Sequence, residues 1–248
     1  MTGVQTCALP ILNRFDFSGQ TVVVTGAASG IGAAQAAAFK AAGAQVIGVD
    51  LQPMTGVTVA IQANVSDPET GKKLAADYTP DIVCNTAGIL DGYKTVAETD
   101  LATWQHILNV DLTSQFLMIK ALLPGMLARG HGVFVNMSSI AGIVGGGGGV
   151  AYTAAKHAVI GLTKQLDLDY AAQGIRANAL APGAINTPMN AADFAGDGKM
   201  AAWVAKETPA KRWAKPEEVA QLTLFLASDA ADYIHGTVIP IDGGWLEK

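Results

Sequence analysis

The chain has 248 residues, half of them hydrophobic and 15% charged, with 16 basic against 21 acidic side chains and a formal charge of -5. That balance excludes intrinsic disorder, provides core for one large domain or two small ones, and argues against nucleic acid or an anionic membrane as the main partner. Two cysteines, Cys7 and Cys84, make no disulfide framework, which points to a reducing, cytoplasmic setting.

No uninterrupted apolar run reaches the roughly 18 residues that span a bilayer. Residues 1–11 (MTGVQTCALPI) show neither helical nor strand period and lack the positive start of a secretory signal. They resemble a translated cloning or adapter remnant, so residues 1–13 are expected to stand outside the fold. Gln20–Thr25 (QTVVVT) reads as a strand covered on both faces, because continuous valine suits a buried parallel strand. An Ala-rich helix follows over Gly30–Ala42, with Gly43 as its cap. Strands are predicted at Gln45–Asp50 and Val57–Ala63, then a helix opening at Asp67-Pro68-Glu69, where Pro68 suits the first helical position. Next come a strand at Asp81–Asn85, a long helix over Asp100–Leu127, a strand at Gly132–Met137 and a helix over Ala151–Ala172. Strands Ile175–Leu180 and Val238–Ile241 bracket a helix at Pro216–Ala227. Alternating strands and helices predict an α/β fold, a doubly wound parallel sheet of about seven strands with helices on both faces. The composition shows no break, linker or solenoid repeat, and residues 14–248 read as one domain. Gly145–Gly149 is the one low-complexity patch.

The first strand runs into Thr25-Gly26-Ala27-Ala28-Ser29-Gly30-Ile31-Gly32 and then a helix. Glycines let the backbone approach a pyrophosphate, and the helix N-terminus offers free N–H groups with about half a positive charge. In isolation this is also what a plain glycine turn looks like; its place between a first strand and a helix favours the dinucleotide reading. Asp50 ends the second strand, where a carboxylate accepts both hydrogens of a ribose diol and repels a 2′-phosphate. A solvated strand end is the bland alternative. Neither the turn nor Leu51-Gln52-Pro53 carries Lys or Arg. The expected cofactor is therefore NAD(H).

Ser139 follows the fifth strand, and Tyr152 and Lys156 sit one helical turn apart. A tyrosine titrates near pKa ~10, and a cation within about 4–6 Å favours its phenolate. Bringing it near neutrality, by roughly 3 units, takes ~4 kcal/mol. Lys156, with a positive nicotinamide when NAD⁺ is bound, is expected to supply that. Tyr152 then serves as general acid–base, and Ser139 holds the substrate oxygen.

On these motifs, together with Asn85-Thr86-Ala87-Gly88, Pro182-Gly183 and Asp242-Gly243-Gly244, the chain resembles the classical short-chain dehydrogenases/reductases from about Phe15 to Trp245. It is similar to their 3-oxoacyl-carrier-protein reductase and NAD-dependent secondary alcohol dehydrogenase members. The resemblance implies a Rossmann-type fold and a secondary alcohol or ketone as substrate. By the same resemblance, Asn85, Ala87 and Gly88 support the central sheet and lie near the adenosine ribose, and Asn64 and Val65 lie at the adenine. Ile185 and Thr187 would bind the carboxamide, and Lys156 the nicotinamide ribose. Helices 100–127 and 151–172 would pair across a dimer, with a homotetramer as the assembly. A 3-oxoacyl-thioester reductase is the nearest alternative activity, and a non-catalytic NAD-binding sensor the rival from another class.

Two departures stand out. Where the family's long helix carries Asn to order a water relay, this chain has Asp111, counted from Trp104; Asp111 is expected to position the water through its backbone carbonyl while its carboxylate opposes Lys156. The stretch between Asp50 and Asn64 is too short for a crossover helix, so an abbreviated loop is expected there. His106, His131, His157 and His235 show no metal-ligand spacing, and no metal site is expected. Cys84 reads as a buried hydrophobe. Met189, Phe194, Met200 and Trp203 read as pocket lining or core, which suits a small or medium apolar substrate. Arg129 reads as a solvated helix end, with docking of an acidic carrier protein as the alternative.

Overall fold

Three valines set both faces of the sheet. In β1 (Thr21–Thr25), Val22 and Val24 point into one hydrophobic layer and Val23 into the other, as pleating requires. The computed structural model describes residues 15–248; the expected leader and Cys7 lie outside the described residues. β2 (Gln45–Asp50), β3 (Val59–Gln62), β4 (Ile82–Asn85), β5 (Gly132–Met137), β6 (Ile175–Pro182) and β7 (Val238–Ile241) join β1 in the order β3-β2-β1-β4-β5-β6-β7. Every pairing is parallel.

The helices are α1 (Gly30–Ala41), α2 (Pro68–Asp77), α3 (Leu101–Leu108), α4 (Ser114–Arg129), α5 (Val150–Tyr170), α6 (Lys199–Glu207) and α7 (Pro216–Ala227). α1 and α7 press Ala36, Phe39, Val219 and Leu224 onto Val22 and Val24. On the other face, Leu74 of α2, Met118 and Leu122 of α4 and Leu166 of α5 pack on Val23 and Phe134. Burying each such large side chain contributes ~1.5–3 kcal/mol, so both layers carry the fold. The strand order reverses between β1 and β4, and at such a switch point the carboxyl ends of the strands open a crevice.

The link from β2 to β3 holds no helix, as its length predicts. The expected single helix over 100–127 is corrected: a π-helical turn, Asn109–Thr113, separates α3 from α4. Such turns insert one residue and recur at functional sites. Here the turn carries Asp111 inward, to 0% exposure. Leu101–Arg129 as a whole is long and apolar enough to cross a membrane, and 44% of its apolar window is buried in the fold. A 3₁₀ segment (Pro188–Phe194) and α6, both absent from the sequence expectation, form a flap over the carboxyl ends of the strands.

Candidate active site

The turn after β1 is held by the Thr25 side chain and by the Gly26 N–H, which donates to the Val49 carbonyl of β2 at 2.9 Å. Thr25 Oγ1 accepts the N–H groups of Thr86 (2.9 Å) and Ala87 (3.1 Å), which ties the turn to the loop after β4. Gly26 has φ +70°, and a Cβ there would lie 2.9 Å from Ala87 Cα. A Cβ on Gly32 would lie 2.1 Å from the Gly26 carbonyl oxygen, so only glycine lets α1 start this close to the strand. Ser29 precedes α1 without a side-chain cap, which leaves the helix N-terminus open to an anion. These are the properties a dinucleotide pyrophosphate needs. Gly32→Ala should cost ~1–3 kcal/mol of stability and abolish saturable NADH binding. A fluorescence titration beside thermal unfolding checks it, and wild-type affinity would contradict it.

Asp50 stands at the end of β2, its Oδ2 accepting the Ala28 N–H at 3.0 Å and its Oδ1 the Gln52 N–H at 2.9 Å. A single cavity of about 830 Å³ begins here. Gly26, Ser29, Gly30, Ile31, Gly32 and Asp50 line one end, beside Leu51, Asn64 and Val65. Ala87, Gly88, Pro182, Gly183, Ile185 and Thr187 line it too, and Thr187 lies against the turn, where a Cβ on Gly30 would meet it at 3.3 Å. Ser139, Tyr152 and Lys156 open onto the same space, as the sequence predicts. Asn85 does not line it. Its side chain donates to Asn136 Oδ1 at 2.9 Å and Asn136 donates to Thr163 Oγ1 at 3.0 Å, a buried polar link from β4 through β5 to α5. Of the two roles expected for Asn85, its side chain takes the sheet-supporting one, and the expected cofactor contact is corrected.

Helix α5 presents Tyr152 and Lys156. Its N-terminus is capped from a distance by Asp91, whose carboxylate accepts the N–H groups of Gly149 (2.8 Å) and Tyr152 (3.0 Å). A Cβ on Gly149 would meet those oxygens at 2.5–2.6 Å, so the glycine run makes room for the cap. Ser138 Oγ donates to the Lys156 carbonyl at 2.9 Å. Lys156 Nζ donates to the Met137 carbonyl at 3.1 Å and lies 5.3 Å from the centre of the Tyr152 ring.

The surroundings of Asp111 differ from the expected water relay. Its backbone carbonyl accepts the Gln115 amide at 3.1 Å, and its Oδ1 accepts the Ile89 N–H at 2.8 Å. Oδ2 faces Lys156 Nζ at 3.3 Å, an ion pair with side chains 3% and 0% exposed. Burial opposes the ammonium, yet Asp111 and Tyr152 more than offset it and hold the Lys156 pKa above its usual value. For Tyr152 the cation does not act alone. Burial pushes the phenol above the ordinary tyrosine value, Lys156 pulls it down, and Asp111 pushes it up again. Sequence spacing shows the cation but neither the burial nor the second charge.

Beyond the Ser–Tyr–Lys cluster the cavity widens under the flap. Met189, Met200 and Trp203 line it, while Phe194 stacks on Trp213 with ring centres 4.8 Å apart. Tyr93, Trp213, Trp245 and His106 also line it and are missing from the sequence expectation. Among the described residues Lys156 is its only lysine or arginine. Arg129 is spent elsewhere, donating to the carbonyls of Gly125 and Pro80 at the end of α4. Cys84 is fully buried in β4, which pushes its thiol far up and leaves it inert. Among the described residues, no cluster of His, Cys, Asp or Glu is placed to hold a metal.

A family model described as enoyl-(acyl carrier protein) reductase matches residues 26–246. The chain is 37% identical to 2-dehydro-3-deoxy-D-gluconate 5-dehydrogenase of Bacillus subtilis, over 95% of this chain and 98% of that protein. It is 38% identical to dehydrogenase/reductase SDR family member 6 of Rattus norvegicus, over 92% and 97%. Among solved structures, a Beutenbergia cavernae protein carrying NADP at low occupancy superposes with a TM-score of 0.90 at 37% identity, covering 95% of this chain and all of that one.

Proposed function

The chain belongs to the short-chain dehydrogenase/reductase family, oxidoreductases of CH–OH groups that use a nicotinamide dinucleotide, and from that premise we propose that it interconverts an uncharged secondary alcohol and its ketone with NAD(H) at Ser139, Tyr152 and Lys156. The observation that carries the reading is the continuous cavity. One end is a glycine cradle beside a carboxylate, the middle holds a serine, a phenol and an ammonium, and the rest is mainly apolar and aromatic with His106, Asn190 and Asp193 among it.

When bound, the dinucleotide supplies or accepts a hydride at the substrate's carbonyl carbon. In reduction, Tyr152 Oη gives its proton to the carbonyl oxygen, C=O becomes CH–OH, and solvent reprotonates the phenolate. Ser139 Oγ holds that oxygen in reach. Gly26–Gly32 and the N-terminus of α1 would hold the pyrophosphate, Asn64 and Val65 the adenine, and Ile185 and Thr187 the carboxamide.

The choice of NAD rests on Asp50, which meets a 2′-phosphate with like charge and no compensating cation. The choice of substrate rests on the same shortage. The Bacillus relative is named for a sugar acid, and a carboxylate in this cavity finds only Lys156, already paired with Asp111. Exposed Phe116 on α4 and Leu168 on α5 support self-association through those helices; light scattering after size exclusion reads the tetramer directly.

An NADH-oxidation screen over cyclic ketones, diketones, 3-oxoacyl thioesters and 2-dehydro sugar acids, with NADPH alongside, tests the whole reading. Uncharged ketones should turn over, with NADH preferred by at least about tenfold, a difference of ~1.4 kcal/mol. Preference for NADPH or for the sugar acids would refute it. Asp50→Ser should erase most of the cofactor preference by raising NADPH affinity, read as the ratio of kcat/KM values for the two cofactors.

A further inference from the structure

We propose that Asp111 is a positioning residue that neutralises Lys156 within the site, keeps Tyr152 a neutral phenol at physiological pH, and so sets the chain to work as a ketone reductase there. The inference deepens the proposed reaction and rests on it. Its foundation is distance. Lys156 Nζ stands 3.3 Å from Asp111 Oδ2 and 5.3 Å from the centre of the Tyr152 ring, so the same ammonium that faces the phenol is in direct contact with a carboxylate. Burial raises the Asp111 carboxyl above the usual carboxylate value, while the ammonium facing one oxygen and the Ile89 N–H bonded to the other favour its ionised form.

Neither charge is screened by solvent. Both side chains are buried, and a Cβ on Gly88 would already lie 3.3 Å from Lys156 Nζ and 3.4 Å from Asp111 Oδ2. The π turn places Asp111 there, because it carries the residue inward between α3 and α4.

The other charged and titratable groups around the phenol do not replace the lost cation. Asp91, in the loop after β4, directs its carboxylate at backbone N–H groups of the α5 terminus and adds negative charge. Tyr93, from the same loop, is a neutral phenol raised by its burial and by Asp193 of the 3₁₀ segment. Ser139 contributes a hydroxyl. His106, on α3, stands exposed at the cavity wall. Among the described residues Lys156 is the only ammonium lining the site, and Asp111 answers it.

A neutral phenol donates a proton and cannot accept one. Reduction therefore runs at full rate below the Tyr152 pKa and falls above it, while oxidation rises with pH until the phenol ionises. The reaction's equilibrium is untouched; the pH window of each direction is what Asp111 sets.

The test compares wild type, Asp111→Asn and Tyr152→Phe. Wild-type reduction should be flat between about pH 6 and 9, with oxidation still climbing at the upper end. In Asp111→Asn the ascending oxidation limb should move down by about one pH unit or more, equal to ~1.4 kcal/mol. A second readout needs neither cofactor nor turnover. Ultraviolet tyrosinate titration, with the Tyr152→Phe curve subtracted, should give a wild-type midpoint above ~10 that falls in Asp111→Asn. An oxidation limb and a midpoint unmoved by Asp111→Asn would overturn the proposal. If that variant fails to fold, a wild-type Tyr152 midpoint below ~10 overturns it on its own. A chain inactive on every substrate would fail the proposed reaction, while the tyrosinate titration would still decide the role of Asp111.

Discussion

Tyr152→Phe should lower kcat about 10²–10⁴-fold in both directions, the range a general acid–base contributes, while NADH affinity and thermal stability stay at wild-type levels. The substitution removes one oxygen and little else. The ring packs among Ile107, Ala141, Ala151 and Ala155, and a phenylalanine ring keeps those contacts. The cap on α5 survives too, because Asp91 accepts the backbone N–H of residue 152 rather than its side chain. Stability should hold or rise slightly, since the buried hydroxyl no longer needs a partner. Single-turnover kinetics, an NADH fluorescence titration and a melting curve give the three readouts. Wild-type kcat in the phenylalanine variant would remove Tyr152 from the chemistry. Lost NADH binding would instead place its role in holding the cofactor.

What the sequence reveals and what it hides divides along one physical line. Local pattern is legible. Three consecutive valines announce a strand buried on both faces, and glycines at Gly26, Gly30 and Gly32 announce a backbone that something approaches. An i, i+4 pair announces that Tyr152 and Lys156 share a face. What depends on distant segments meeting is not. Asp91 gives no sign in the sequence that it caps a helix from another part of the chain. NVDLT reads as helix because a π turn differs from an α turn by hydrogen-bond register, not by composition. Tyr93, Trp213 and Trp245 come from three separate segments and share a cavity wall only after folding. Asn85 sits in a motif associated with cofactor contact, yet its side chain turns into the sheet to meet Asn136. The acidity of Tyr152 is the sharpest case. Spacing places the cation, but burial and the Asp111 carboxylate decide the direction, and both are tertiary.

Lys156→Met should be the most destabilising of the single substitutions considered, at ~3–5 kcal/mol, because it strands the Asp111 carboxylate at 0% exposure without its counter-ion. The Met137 carbonyl also loses one of its two donors and keeps the Gln115 amide at 3.2 Å, so that loss adds at most ~1 kcal/mol. The loss reverses if the carboxylate is removed too. Lys156→Met combined with Asp111→Leu exchanges a buried ion pair for apolar side chains of similar volume, a change that is often neutral or stabilising. The double variant should therefore recover most of the melting temperature, short by the lost Lys156 bond to the Met137 carbonyl, which keeps Gln115 as donor, and by the Ile89 N–H that loses its acceptor. Its tyrosinate midpoint should return toward wild type as well, since a neutral pair has been replaced by two neutral side chains. Turnover should not return, because the ammonium also faces the dinucleotide cavity and leaves that wall without a hydrogen-bond donor. Stability and phenol titration recovering together while activity stays low would separate the two tasks of Lys156: one is to balance Asp111, the other to hold what binds in the cavity. Recovery of activity in the double variant would mean that the ammonium serves only as a counter-ion.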